Sequence, residues 1–110
     1  FARSVKESLR LMDVRVYGDV DRQIQKVAVC TGSGKSLMSD VLASGADVYV
    51  TGDVDHHTGI DAVADGLAVI DAGHYGTEYI FVEAMREKLG RKFEQLKIQG
   101  ARVRFPYQNF

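Results

Sequence analysis

Apolar positions follow two periods along the chain, and the change from one to the other marks out its elements. Over residues 1–12, Val5, Leu9 and Met12 share one stripe, while Arg3, Lys6, Glu7 and Arg10 surround it. This pattern predicts an amphipathic helix that packs and does no chemistry. Val14, Val16 and Tyr17 beside a Gly-Asp turn predict an edge strand, and the apolar run over residues 26–30 predicts a fully buried one, with the two as candidate neighbours. Residues 37–44 read as a helix with Leu37, Val41 and Leu42 inward and Gly45 as its C′ glycine. Two short apolar runs, residues 47–51 and 67–70, predict further strands, separated by a helix from about His56 to Ala64 that Asp53 or Asp55 would cap.

Beyond Thr77, the residues Val82, Met85, Leu89, Phe93 and Leu96 follow three- and four-residue steps. They predict a helix into the low nineties, with Gly90 as a candidate end. Arg102 to Phe105 alternates like a last strand stopped by Pro106. Strand and helix alternate through the middle of the chain. The expected class is therefore α/β: three layers, with a mainly parallel or mixed sheet of about five strands and helices on both faces.

Composition narrows the function classes. The chain has 110 residues, enough for one domain with a modest core. Its 14 basic and 15 acidic residues leave a formal net charge of −1, so nothing marks a nucleic-acid or anionic-membrane partner. The single cysteine, Cys30, lies in an apolar run and reads as a buried, inert thiol in a reducing compartment. No run has the length of a transmembrane helix and no signal-peptide pattern is visible, so a cytoplasmic location is expected. The start at Phe1, inside an amphipathic helix, suggests a fragment of something longer.

Chemistry concentrates where apolar runs end. The strand at 67–70 runs into Asp71-Ala72-Gly73-His74-Tyr75-Gly76-Thr77-Glu78, where His74 and Glu78 stand four residues apart. On a helix starting near His74 both would share one face, at the carboxyl end of the strand, where open α/β sheets bind ligands. Either His74 bonds locally and Glu78 answers the helix dipole, or the two are metal ligands. The strand at 47–51 runs similarly into Gly52-Asp53-Val54-Asp55-His56-His57, which would bring a second set of carboxylate and imidazole groups to the same crevice. His56 reads as a solvated first-turn residue; for His57 a structural and a functional reading stand side by side. Thr31-Gly32-Ser33-Gly34-Lys35-Ser36 looks like a phosphate loop, but the glycine required five residues before Gly34 is Val29. A glycine-rich turn remains, with Ser33 or Ser36 as N-cap and free N–H groups that could hold an anion.

The strings at 27–34, at 45–53 with His57, and at 70–78, in this order, closely resemble the C-terminal half of the Nif-three-like proteins, also called GTP cyclohydrolase 1 type 2 homologues. The resemblance spans roughly residues 1–90. It implies a dinuclear site in a cleft between two related α/β halves, with His74 and Glu78 as metal ligands and Glu78 bridging. It places Asp53 and His57 near the metals, as candidate catalytic, proton-moving groups. The cofactors implied are two divalent ions per full-length chain, zinc, iron or manganese, and the family's other ligands belong to its N-terminal half. This chain is thus expected to hold half a site, with Asp53, His56, His57 or Asp71 as further ligands should it prove complete. The implied function is a metal-dependent hydrolase acting on a nucleotide or related small molecule, or else a metal-stabilised regulatory or scaffold protein. Full-length members are expected to form ring-shaped homohexamers.

Overall fold

The computed structural model describes residues 1–108. Four strands form one mixed sheet among the described residues: β1 (Arg15–Tyr17), β2 (Val27–Ser33), β3 (Val48–Gly52) and β4 (Ala68–Asp71), in the order β1-β4-β3-β2. β2, β3 and β4 run parallel and β1 is antiparallel to β4, with Arg15 opposite Asp71. The helices are α1 (Ala2–Ser8), α2 (Met38–Ala43), α3 (His56–Ala64), α4 (His74–Glu78) and α5 (Ile80–Lys92), and a 3-10 turn at Lys35–Leu37 leads into α2. No helix among the described residues is long and apolar enough to cross a membrane.

The three expected layers are present. On one face, Tyr49 and Val69 of the sheet pack with Val41 of α2 and Ala62 of α3. On the other, Val48, Val50, Ala68 and Ile70 meet Ala2 and Val5 of α1 together with Val14, Val16 and Ile24. β3 is buried along its whole length, and that is why its run shows no alternation. Gly45 ends α2 with φ +69°, as its C′ position requires. α3 has the expected bounds: Asp55 is its N-cap and accepts a hydrogen bond from Thr58 N at 3.0 Å.

Several expectations are corrected. β1 pairs with β4, not with the strand that follows it in sequence. β2 is an edge strand whose residues alternate, with Val29 68% exposed, rather than a fully buried one. Cys30 is accordingly half-buried, packed against the Tyr49 cluster. α1 stops at Ser8 and Met12 is 91% exposed. Arg102–Phe105 forms no strand, which leaves four strands where about five were expected. Gly90 lies inside α5, and neither Ser33 nor Ser36 caps a helix, since Gly34 precedes the 3-10 turn without a side-chain cap.

Lys35 is taken up by structure instead of a ligand. Its Nζ lies 2.7 Å from Asp55 Oδ2, and this bond holds the Asp55 carboxyl well below the usual carboxylate range, helped by the bonds from Thr58. Asp55→Ala should lower the melting midpoint by a few degrees, since both the cap and the pair are lost. Because the folded-state pKa is depressed, the wild-type advantage should be complete above about pH 4 and shrink as the pH falls further, which melts across a pH series would measure. Lys35→Ala should cost less than Asp55→Ala, the cap being retained.

Candidate functional site

The carboxyl ends of β2, β3 and β4 meet at α4, and each contributes one part of a cluster. β4 ends at Asp71, whose carboxylate accepts from Gly73 N (3.0 Å) and from Val54 N (3.2 Å). One side chain thus ties the loop after β3 to the loop after β4. Gly73 then adopts φ +72° as the N-cap of α4, a conformation that favours glycine, and α4 starts at His74. His74 and Glu78 therefore share a helix face as the spacing predicts, with Nε2 and Oε2 3.4 Å apart.

Asp53 reaches the same ring from β3. It sits in the left-handed region at φ +55°, and its Oδ2 lies 2.8 Å from His74 Nδ1. The ring is thus flanked by a carboxylate at each nitrogen. The hydrogen bond to Asp53, followed by the charge of Glu78, raises the His74 pKa above its ordinary value. A proton held on Nδ1 for Asp53 leaves the Nε2 lone pair facing Glu78 in the neutral ring.

β2 contributes space and anchors. A Cβ built on Gly32 would stand 2.7 Å from Glu78 Oε1 and 3.1 Å from His74 Nε2, so the bare glycine keeps the front of the pair open. Gly32 N donates to Thr77 Oγ1 at 2.8 Å, which docks β2 on α4. Thr51 Oγ1 accepts from Gly34 N (3.0 Å) and donates to Gly32 O (3.2 Å), holding the glycine turn against β3. Sequence alone does not mark Gly32, Thr51 and Thr77 as site residues. Thr77 lies within the His74–Glu78 motif, and Thr51 is a polar residue ending an apolar strand; both were visible signals.

The structure brings Asp53, His74 and Glu78 together and leaves His57 outside. The His57 ring lies edge-on to His56 at 5.5 Å in the exposed first turn of α3. Among the described residues no hydrogen bond or ion pair joins it to the cluster. Asp71, a possible further ligand, spends its oxygens on backbone N–H groups.

His74 Nε2 and Glu78 fit a divalent ion as a pair of donors. At zinc-ligand distances of about 2.0–2.1 Å and a tetrahedral angle, two donors stand roughly 3.4 Å apart, the separation seen here. The donor set is incomplete: among the described residues no group of three or more His, Cys, Asp or Glu is arranged to hold a metal.

Fold and site together define a small α/β domain with a carboxylate-imidazole-carboxylate line at the carboxyl ends of its parallel strands. The sequence profile of the Duf34/NIF3 family (NGG1p interacting factor 3) matches residues 1–106. The chain belongs to that family. It is 44% identical over 94 residues to a GTP cyclohydrolase 1 type 2 homolog of Streptococcus pneumoniae, covering 82% of this chain and 35% of the relative. To the protein of that name in Halalkalibacterium halodurans it is 42% identical over 97 residues, or 88% of this chain and 26% of the relative. A Bacillus cereus protein related to NIF3 superposes with a TM-score of 0.92 at 32% identity, over 99% of this chain and 31% of that one. Reduced HcgD from Methanocaldococcus jannaschii gives a TM-score of 0.66 at 32% identity, over 81% and 37% of the two chains. The chain thus spans about a third or less of the length of these curated relatives.

Proposed function

We propose that His74 and Glu78 are metal ligands contributed by the C-terminal half of a dinuclear metal protein that acts as a hydrolase on a nucleotide or related small molecule. The observation that carries this reading is the convergence of His74 Nε2 and Glu78 Oε2 at 3.4 Å before the open space left by Gly32. The name of the relatives, GTP cyclohydrolase 1 type 2 homolog, supports the substrate class. Two divalent ions, zinc, iron or manganese, complete the site in the full-length protein, with the remaining ligands supplied from outside these residues. A bound ion would polarise a substrate oxygen and make water a better nucleophile near neutral pH. Asp53 fixes the tautomer and orientation of the His74 ring and is better placed than His57 to accept a proton beside it.

A second reading, a metal-stabilised regulatory or scaffold protein, is favoured by the exposed apolar side chains of the β2 edge, Val27 and Val29. In that reading the chain joins its other half and assembles into a ring-shaped homohexamer in the cytoplasm. Chelation separates the two: activity lost with assembly intact supports the hydrolase, and loss of assembly supports the scaffold.

The 110-residue chain offers a direct test. Calorimetric titration with zinc or manganese should give weak binding at fewer than two ions per chain, with sedimentation reporting self-association. Two tight sites on a monomer would mean that the site is complete within these residues. No binding at millimolar metal would remove His74 and Glu78 as ligands.

A further inference from the structure

Asp71 lies outside the donor pair, yet it bonds beside both members of the Asp53–His74 contact. Its side chain is 11% exposed, and each oxygen accepts from one backbone N–H: Oδ1 from Gly73 N at 3.0 Å and Oδ2 from Val54 N at 3.2 Å. Gly73 immediately precedes His74, and Val54 immediately follows Asp53. The first bond is local, an aspartate closing a turn on the residue two further on. The second reaches 17 residues back along the chain. The Val54 N–H belongs to the peptide plane that joins it to Asp53, so this bond fixes the torsion following the Asp53 Cα.

Val54 is held from its other side as well. Tyr17 Oη, from β1, donates to Val54 O at 3.4 Å, a long and therefore weaker bond. The Tyr17 ring is seated on Gly59 of α3, where a Cβ would strike it. Arg15 stands opposite Asp71 across the β1–β4 pair, 3.9 Å from Oδ2 and 3.5 Å from Tyr17 Oη. Its side chain is largely exposed, and ion pairs of that kind contribute little. What the two bonds to Val54 secure is the backbone of Asp53 at φ +55°. Aspartate tolerates the left-handed region without preferring it, so a released loop would let the carboxylate turn away from the ring.

We propose that Asp71 is a positioning residue, assisted by Tyr17: by gripping Val54 it aims Asp53 at His74 Nδ1, and through that contact it keeps the Nε2 lone pair turned outward. The inference deepens the proposed function, on which it rests for the use of Nε2 as a metal donor. In the neutral ring, the nitrogen that bonds to Asp53 carries the proton and the other is left free to ligate. Asn in place of Asp71 keeps the shape but offers one acceptor oxygen. The local turn to Gly73 takes that oxygen, the amide N–H faces Val54 N, and the tie to β3 is lost.

The tautomer of the His74 ring is the readout, taken from nitrogen-15 NMR of the metal-free 110-residue chain at about pH 9, above the ordinary imidazole range. The wild type is expected to hold the proton on Nδ1. Asp71→Asn, still folded by amide dispersion, should let it pass largely to Nε2, and Tyr17→Phe, which keeps the ring packing, should do so in part. A wild-type ring protonated on Nε2, or a folded Asp71→Asn variant with the wild-type tautomer, overturns the proposal. Should Asp71→Asn not fold, Tyr17→Phe decides in the same way. Zinc affinity gives a second measure: Asp71→Asn should lose about tenfold, the low end for a supporting group. Combined with Asp53→Asn it should lose no more than Asp53→Asn does alone, since Asp71 acts through that carboxylate. Losses that add would make Asp71 an independent structural group and overturn the proposal. Failure of the metal reading shows separately, as zinc binding unaffected by Glu78→Ala, and the tautomer result does not depend on it.

Discussion

Gly52→Ala is expected to leave little folded protein. A Cβ at Gly52 would lie 2.4 Å from the carbonyl carbon of Gly73, 2.6 Å from its oxygen and 2.6 Å from His74 N. All three contacts are backbone, so no side-chain rotation relieves them. Gly52 closes the fully buried central strand and pairs with Ser33 across β2. Relief would require pulling the β4–α4 loop off the sheet, which breaks the Asp71 bonds to Val54 N and Gly73 N as well. Inserting one carbon into a packed core costs about 1–3 kcal/mol even where side chains can adjust. With a fixed backbone on the far side the cost rises beyond that, against a total stability of about 5–15 kcal/mol for a domain. Circular dichroism melts and amide dispersion in NMR spectra would read the result. Gly90→Ala is the control: nothing lies within 4 Å of a Cβ there, and in the interior of α5 alanine should stabilise by about 0.5–1 kcal/mol. If both variants melt like the wild type, the close approach of β3 to the α4 loop is wrong.

The same approach of two backbones explains which features could be read in the chain before its fold was known. The i,i+4 spacing of His74 and Glu78 and the capping of α3 by Asp55 are local, and local geometry follows from sequence distance. Both appear as expected. Pairing across the sheet is not local: nothing in the run at residues 14–17 states that it lies against β4, more than fifty residues on, instead of the nearer β2. The error on β2 has a different origin. A Val-Ala-Val-Cys run is equally consistent with a buried central strand and with an edge strand whose Val27 and Val29 remain uncovered. Arg102–Phe105 alternates but finds no strand to pair with; instead Phe105 packs its ring against Tyr75 at 5.0 Å. In the site, the contact of Asp53 with His74 spans 21 residues. It was visible only as two strand ends carrying similar groups, whereas the role of Gly32 required the position of β2.

Glu78→Ala should remove metal binding from this chain and leave the fold of the metal-free protein intact. The Glu78 side chain is half exposed in the last turn of α4, and among the described residues its only ion pair is with His74. No packed apolar group loses a neighbour, so the melting midpoint without metal should stay within about 2 °C of the wild type, as for a surface substitution. The effect on the ion is of another size. With His74 and Glu78 as the two donors, removing one leaves a single imidazole, which holds a divalent ion no better than a free side chain does. Asp53→Asn should give a graded result, because the amide keeps the shape but no longer provides the carboxylate that orients the His74 ring. A loss of ten- to a hundredfold is expected for such a supporting residue. Zinc and manganese titrations of wild type, Asp53→Asn and Glu78→Ala by calorimetry, each paired with a melt in chelator, would rank the three. Equal affinity in wild type and Glu78→Ala would remove Glu78 from the metal site. A loss of affinity matched by a collapse of the metal-free melt would make the carboxylate a structural group instead.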